Sequence, residues 1–133
     1  MPALDTNVLV RYIVEGDAAQ AAAAQDLIKR CVREGVTLWV PITVVLELEW
    51  VLRARYGFAK IEVLRALSSL LSAAELGFES EQALEVALQL LRTGSVDFAD
   101  CLHAALATQA GEGPLWTFDK VAAKVSGAQL LTR

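Results

Sequence analysis

Apolar positions recur along this chain at two spacings, which indicate two kinds of structural element. Short continuous apolar runs, typical of buried strands, occur at residues 3–4, 36–40, 74–78, 115–118 and 128–131. Apolar residues repeat at helical spacing over residues 8–14, 18–33, 43–55, 59–72, 80–92, 97–109 and 120–125. Strands separated by helices favour a parallel sheet. The pattern therefore predicts an α/β fold, with a central parallel sheet and helices on both faces.

Several residues at the ends of the predicted helices have known capping preferences. Asp17 begins one helix, and Gln20 three positions later completes a capping-box pattern. Gly35 is predicted to stop that helix. Thr43 and Ser80 are predicted to cap the N-termini of two later helices.

The composition suits one compact domain over residues 1–133, since 55% of the residues are hydrophobic. The most apolar window, residues 38–52, is interrupted by a proline and two glutamates. It is also shorter than the roughly 20 residues of a membrane span. No secretory signal is recognisable. Cys31 and Cys101 are therefore expected to be reduced thiols of a cytoplasmic protein.

The formal net charge of −4 argues against a module that binds nucleic acid through a general basic excess. It does not exclude a nuclease, because acids gathered in one pocket can be neutralised by a divalent cation. The basic residues include two groups, and each fits either a solvated helix face or a phosphate-contacting surface. The groups are Lys29, Arg30 and Arg33, and Arg53, Arg55, Lys60 and Arg65.

Five acids adjoin the ends of the predicted strands or the first turns of the predicted helices. Asp5 and Asp119 directly follow apolar strands, whereas Glu47, Asp97 and Asp100 begin helices. Ligands of open parallel sheets bind at the carboxyl ends of strands, so all five acids can point into one crevice. Each aspartate has a structural alternative, because a carboxylate at a helix N-terminus caps unpaired N–H groups.

Glu47 and Glu49 lie on one predicted helix that is apolar nearly all round. Glu47 has Val44 and Trp50 as neighbours on its face, where an ionised carboxylate is costly unless it is paired or binds a metal. Glu49 lies about 200° further round the helix. We expect Glu49 to form a surface ion pair with Arg53 at the i+4 position.

The candidate ligands supply oxygen atoms only, which suits Mg²⁺ or Mn²⁺ rather than zinc. Such a cation turns a bound water into a nucleophile and stabilises charge on phosphate oxygens. His103 is the only histidine, and we expect it to pack or to form a hydrogen bond rather than to bind the metal.

The acids and their neighbours resemble the PIN-domain ribonucleases. The residues that carry the resemblance are Asp5-Thr6-Asn7, Glu47, Asp97-Phe98-Ala99-Asp100 with Leu102 and Ala104-Ala105, and Thr117-Phe118-Asp119. The resemblance covers the whole chain and implies a three-layer α/β/α fold. The length and single domain look like the VapC-type toxins of toxin–antitoxin pairs.

The resemblance also implies a set of catalytic and supporting residues. The implied catalytic, metal-binding quartet is Asp5, Glu47, Asp100 and Asp119. The implied supporting residues are Thr6, Asn7, Asp97 and Thr117. The implied activity is Mg²⁺- or Mn²⁺-dependent endonucleolytic cleavage of RNA by a metal-activated water. The implied partners are a second copy of the chain and a small antitoxin that blocks the site.

Three other interpretations are open. A phosphatase with an aspartate nucleophile expects Asp-x-Asp after the first strand, but Asn7 takes the second position. A receiver-like phosphorylation domain expects an acid after the middle strand, where Pro41 stands. A catalytically inactive interaction module with a PIN fold is disfavoured by the complete quartet.

The two helices between residues 43 and 72 carry more apolar side chains than one core face can bury. Trp50, Phe58 and Leu64 are among them. Exposed apolar surface of this kind marks partner sites. We therefore predict that this pair of helices forms a hydrophobic groove that receives an antitoxin helix.

Overall fold

The computed structural model describes residues 1–14 and 16–133. These residues form two compact units, Met1–Glu79 and Ser80–Arg133, and each is described by itself. In the described residues, no helix combines the length and the apolar character needed to cross a bilayer.

The N-terminal unit contains four helices and a parallel pair of strands. The elements are α1 (Thr6–Ile13), α2 (Ala18–Glu34), β1 (Leu38–Val40), α3 (Ile42–Tyr56), α4 (Lys60–Leu71) and β2 (Leu76–Phe78). Strands β1 and β2 run parallel, with Leu38 opposite Leu76, and Ala3 adds one parallel bridge to Trp39. Helix α1 packs against both α2 and α3. This packing places the first turn of α1 beside α3.

The C-terminal unit contains two packed helices and a second parallel pair of strands. The elements are α5 (Glu81–Thr93), α6 (Phe98–Gln109), β3 (Leu115–Thr117), a short 3-10 helix (Ala122–Lys124) and β4 (Ala128–Leu130). Strands β3 and β4 run parallel, with Leu115 opposite Ala128. Gly127 has a φ of +92°, and a Cβ there would lie 2.7 Å from the Thr108 hydroxyl. Only glycine therefore fits before β4.

The predicted α/β class, the parallel pairing and the order of the elements are confirmed. Each strand is three residues long, and the hydrogen-bonded strands form one two-stranded pair in each unit. The predicted strand at residues 3–4 is reduced to a single bridge. The short predicted helix at residues 120–125 is a single 3-10 turn.

Two of the four predicted helix-end residues act as expected. The Asp17 carboxylate accepts a hydrogen bond from the Gln20 N–H at 3.0 Å, and Gly35 ends α2 with a φ of 67°. The predicted cap at Thr43 is wrong, because α3 begins one residue earlier. The Glu79 carboxylate caps α3 instead, at 2.8 Å from the Ile42 nitrogen.

Ser80 occupies the N-cap position of α5 without acting as a side-chain cap. Its φ is 55°, in the left-handed region, and its hydroxyl forms no capping hydrogen bond. The differences at Thr43 and Ser80 arise from the path of the backbone and from a contact between residues distant in sequence. Local residue preferences do not predict either of these.

Candidate active site

Asp5 lies at the start of α1, directly after the bridge to β1. The Val8 N–H donates to Asp5 Oδ1 at 3.1 Å, so Asp5 caps the helix as one interpretation of the sequence proposed. The side chain is exposed, and Oδ2 forms no hydrogen bond with any described residue. Capping therefore uses one carboxylate oxygen and leaves the other for a ligand.

Thr6 connects Asp5 to a second acid. Thr6 is only 5% exposed, and its hydroxyl donates a hydrogen bond to Oε1 of Glu47 on α3. The buried threonine that follows Asp5 is therefore hydrogen-bonded to an acid 41 residues further along the chain. Asn7, in the same turn of α1, is exposed and lines a cavity that Asp5 also lines.

The predicted surroundings of Glu47 are wrong. Glu47 is exposed, whereas Glu49 is only 5% exposed. The buried side of α3 consists of residues at spacings of three and four, namely Val45, Leu48, Glu49 and Leu52. The argument that burial makes an unpaired Glu47 costly therefore does not hold. The hydrogen bond from Thr6 is what restrains this carboxylate.

Glu49 forms the predicted ion pair with Arg53, but the pair is not a surface pair. Arg53 Nε lies 2.9 Å from Glu49 Oε2, and Arg53 Nη2 lies 3.4 Å from Oε1. The Arg53 side chain is 51% exposed and the Glu49 side chain only 7%. The arginine thus extends from solvent to neutralise a buried carboxylate, which gives Glu49 a structural role.

Asp97 and Asp100 occupy the first turn of α6, as predicted. Asp97 is the exposed N-cap residue, but its side chain forms no capping hydrogen bond. Asp100 is half-buried at the third helical position. The helix is anchored by a buried stripe that includes Phe98 and Leu102, both at most 2% exposed. Packing rather than hydrogen bonding therefore sets the direction of Asp100.

Asp119 lies two residues beyond Thr117, at the carboxyl end of β3. Its Oδ1 accepts hydrogen bonds from the N–H groups of Val121 at 2.8 Å and Ala122 at 3.2 Å. Its own N–H donates to the Thr117 hydroxyl at 3.0 Å. Thr117 thus shapes the turn that presents Asp119, and Oδ2 of Asp119 forms no hydrogen bond within the described residues.

His103 is exposed on α6, and its side chain forms no hydrogen bond with another described residue. The expectation that it packs or forms a hydrogen bond is wrong. The neighbouring Leu102 and Ala104 take the buried positions of this turn.

The donor atoms fit a hard divalent cation such as Mg²⁺ or Mn²⁺. They are all carboxylate oxygens, and none of the five acids forms an ion pair with a described Lys or Arg. Asp5 and Glu47 belong to the N-terminal unit, whereas Asp97, Asp100 and Asp119 belong to the C-terminal unit. Within the described part of the chain, no group of three or more His, Cys, Asp or Glu is placed to hold a metal ion. Thr6, which follows Asp5, donates a hydrogen bond to Glu47.

The apolar groove on α3 and α4 stays a prediction. Trp50, one of its predicted residues, is 49% exposed, and Ile61 on α4 is 55% exposed. Leu64 is only 5% exposed, so its assignment to the groove is wrong. Leu64 falls on the buried stripe of α4 with Val63 and Leu67.

Arg11 is the residue beside the site that the sequence interpretation passed over. It lies on α1 one turn beyond Asn7 and lines a cavity that Asp5 also lines. Asn7 and Arg11 are four positions apart and therefore share a helix face. This spacing is the sequence signal that could have identified Arg11 as a neighbour of the site.

An α/β fold whose acids follow parallel strands and begin helices defines a class of protein suited to divalent-metal chemistry. The chain matches the PIN domain over residues 3–128 and belongs to the PIN-domain family. PIN domains are generally nucleases, and those nucleases generally use Mg²⁺ or Mn²⁺. No curated protein is significantly similar to the chain in sequence.

Proposed function

We propose that this protein is a Mg²⁺- or Mn²⁺-dependent endoribonuclease. The observation that carries the proposal is the hydrogen bond from Thr6, the buried residue that follows Asp5, to the carboxylate of Glu47. A threonine that orients a carboxylate from another helix is typical of the support given to metal ligands. The PIN family supplies the nuclease class.

The proposed ligands are Asp5, Glu47, Asp100 and Asp119. A divalent cation, when bound, supplies an activated water and stabilises charge on the phosphate. Thr6 orients Glu47, and Thr117 shapes the turn before Asp119.

The finer biological assignment rests on the resemblance to VapC-type toxins. In this assignment the protein is a cytoplasmic type II toxin that forms a homodimer. It cleaves RNA, and a cognate antitoxin binds it. The exposed Trp50 and Ile61 support a partner surface on α3 and α4. Lys29, Arg30 and Arg33 are all exposed on α2, where they are available to contact RNA phosphates.

The activity is tested with pure protein and RNA that contains both loops and duplex segments. We expect cleavage with Mg²⁺ or Mn²⁺, loss of cleavage in EDTA, and recovery when the metal is returned. Asp5→Asn is the matched variant, because it removes a ligand charge and keeps an oxygen that can cap α1. Cleavage that continues in EDTA at a rate unchanged by Asp5→Asn would contradict the proposal. A protein inactive under all conditions would favour the interaction module.

The partner assignment is tested by co-expression with the product of the adjacent small gene. We expect a stable complex that does not cleave RNA, and a dimer of the isolated protein by light scattering. Trp50→Glu with Ile61→Glu is expected to weaken the complex without unfolding the protein, since both side chains are about half-exposed. Undiminished binding by the folded double variant would count against this surface.

A further inference from the structure

A cavity of about 480 Å³ lies beside Asp5, with walls formed by α1 and α2. This volume is within the range typical of small-ligand sites. The residues that matter for its chemistry are Asp5, Asn7 and Arg11 on α1, and Gln20, Ala24 and Leu27 on α2. The cavity therefore combines polar residues, including the proposed metal ligand Asp5, with apolar residues of α2.

Arg11 provides the positive charge of this cavity. Its Nε donates to Gln20 Oε1 at 2.7 Å, and its Nη1 donates to the Tyr56 hydroxyl at 3.3 Å. Both partners are neutral, and no carboxylate pairs with Arg11 among the described residues. A guanidinium held by neutral partners has further N–H groups with which to bind an anion.

The position of Arg11 relative to Asp5 suits two neighbouring parts of one nucleic acid strand. The two residues are six positions apart, which is about 9 Å along a helix axis. Both residues line the one cavity, so a single ligand can contact both. Ala24 and Leu27 form the apolar side, against which a ribose or a base can pack.

We propose that this cavity is the subsite for the nucleotide next to the scissile phosphate, with Arg11 bound to that nucleotide's phosphate. The inference rests on the proposed function, because it assumes that Asp5 acts on RNA. A base inside a duplex cannot enter such a cavity, whereas an unpaired base can.

The subsite is tested by RNA binding without cleavage. A short single-stranded oligoribonucleotide is titrated with protein that carries Asp100→Asn, and the dissociation constant is measured over a series of salt concentrations. Arg11→Gln in this background is expected to weaken binding by roughly tenfold, since it removes a charge-assisted contact. It should also reduce the magnitude of the slope of log K against log salt by about 0.7, because one phosphate contact is lost.

The matched control is Arg92→Gln. Arg92 also donates to a glutamine, Gln89, at 2.8 Å, but it is exposed on α5 and does not line this cavity. We expect Arg92→Gln to change neither the affinity nor the salt slope. Arg11→Lys should restore the slope but only part of the affinity, because lysine keeps the charge without the planar fork. A purely structural role for Arg11 would lower the melting temperature and leave the salt slope unchanged.

A second variant tests the apolar side of the cavity without changing Arg11. Ala23 is exposed and lines the cavity, so Ala23→Phe should fill part of it and leave the core intact. We expect weaker binding of single-stranded RNA, unchanged duplex binding and an unchanged salt slope. Normal affinity and slope in folded Arg11→Gln, or normal single-strand binding in Ala23→Phe, overturns the subsite. The proposed function survives that result if the wild type cleaves RNA. A wild type that does not cleave RNA overturns both proposals.

Discussion

The acids beside α1 and on α3 are held differently from those at the start of α6. In the N-terminal unit, Asp5 accepts a hydrogen bond from a backbone N–H and Glu47 accepts one from the Thr6 hydroxyl. In the C-terminal unit, the Asp97 and Asp100 side chains form no hydrogen bond with a described residue, and their positions depend on the packing of α6, whereas Asp119 accepts two backbone N–H bonds. An acid can therefore be positioned either by a hydrogen bond to its side chain or by the burial of the helix that carries it.

This difference has consequences for substitution. A hydrogen-bonded carboxylate such as Glu47 can be misdirected by changing its partner while the carboxylate itself stays in place. A carboxylate held by helix packing, such as Asp100, has no single partner to remove. The two kinds of acid are therefore distinguished by variants of their neighbours as well as by variants of the acids.

The largest expected effect comes from the C-terminal unit. Asp100→Asn should reduce RNA cleavage by roughly a thousandfold, because a half-buried ligand on an anchored helix would lose its charge. Asp97→Asn should reduce cleavage only about fivefold, since Asp97 is exposed at the end of the helix. Cleavage rates at saturating Mn²⁺ measure both. The reverse order of severity would mean that the two roles are exchanged.

A smaller effect is expected from the hydroxyl that supports the N-terminal acids. Thr6→Val keeps the shape of the side chain but removes the hydrogen bond to Glu47, so cleavage should fall by about 10- to 100-fold. Thr117→Val should cost less, because Asp119 keeps its bonds to the N–H groups of Val121 and Ala122. Cleavage rates over a Mn²⁺ titration test both variants. A greater loss for Thr117→Val would show that the C-terminal acids depend more on local hydrogen bonds.

The smallest expected effect is a change in the free energy of unfolding. It should differ between Glu47→Gln and Glu49→Gln. Glu49→Gln should lower the free energy of unfolding by about 1–2 kcal/mol, because Arg53 loses a buried charged partner. Its effect on cleavage should be slight. Glu47→Gln should change stability by less than about 0.5 kcal/mol, since the side chain is exposed, while cleavage is lost.

Urea denaturation without metal and cleavage with metal give the two measurements for each variant. Equal losses of activity in Glu47→Gln and Glu49→Gln would show that the buried ion pair on α3 also supports the site. A stable Glu49→Gln protein would show that Arg53 does not need this carboxylate.

Much of the fold was predictable because it depends on local chemistry. Asp17 caps α2 and Gly35 ends it, as expected from the stereochemistry of helix ends. The apolar runs before Asp5 and Asp119 also lead to parallel pairing. Asp5 and Asp119 each fit two roles by sequence, a helix cap and a metal ligand. Both act as caps through one carboxylate oxygen, and the second oxygen of each is available to bind a metal.

The orientation of α3 was not predictable in the same way. Apolar residues surround this helix almost completely, so the sequence does not indicate which face is buried. The packing of α1 and α4 against α3 decides it, and Glu49 rather than Glu47 turns inward. The same ambiguity explains why Leu64 was wrongly predicted to line the groove. An apolar side chain is suited both to the core and to a partner surface.

The class of fold, the element order and the identity of the acids follow from the sequence, because they depend on periodicity, capping and residue type. The hydrogen bond from Thr6 to Glu47, the neutralisation of buried Glu49 by Arg53 and the cavity that Arg11 and Asp5 both line depend on the tertiary structure. Each of these contacts joins residues on different helices or depends on which side of a helix packs inward. Such contacts arise from the burial of several elements together, which no single stretch of sequence specifies.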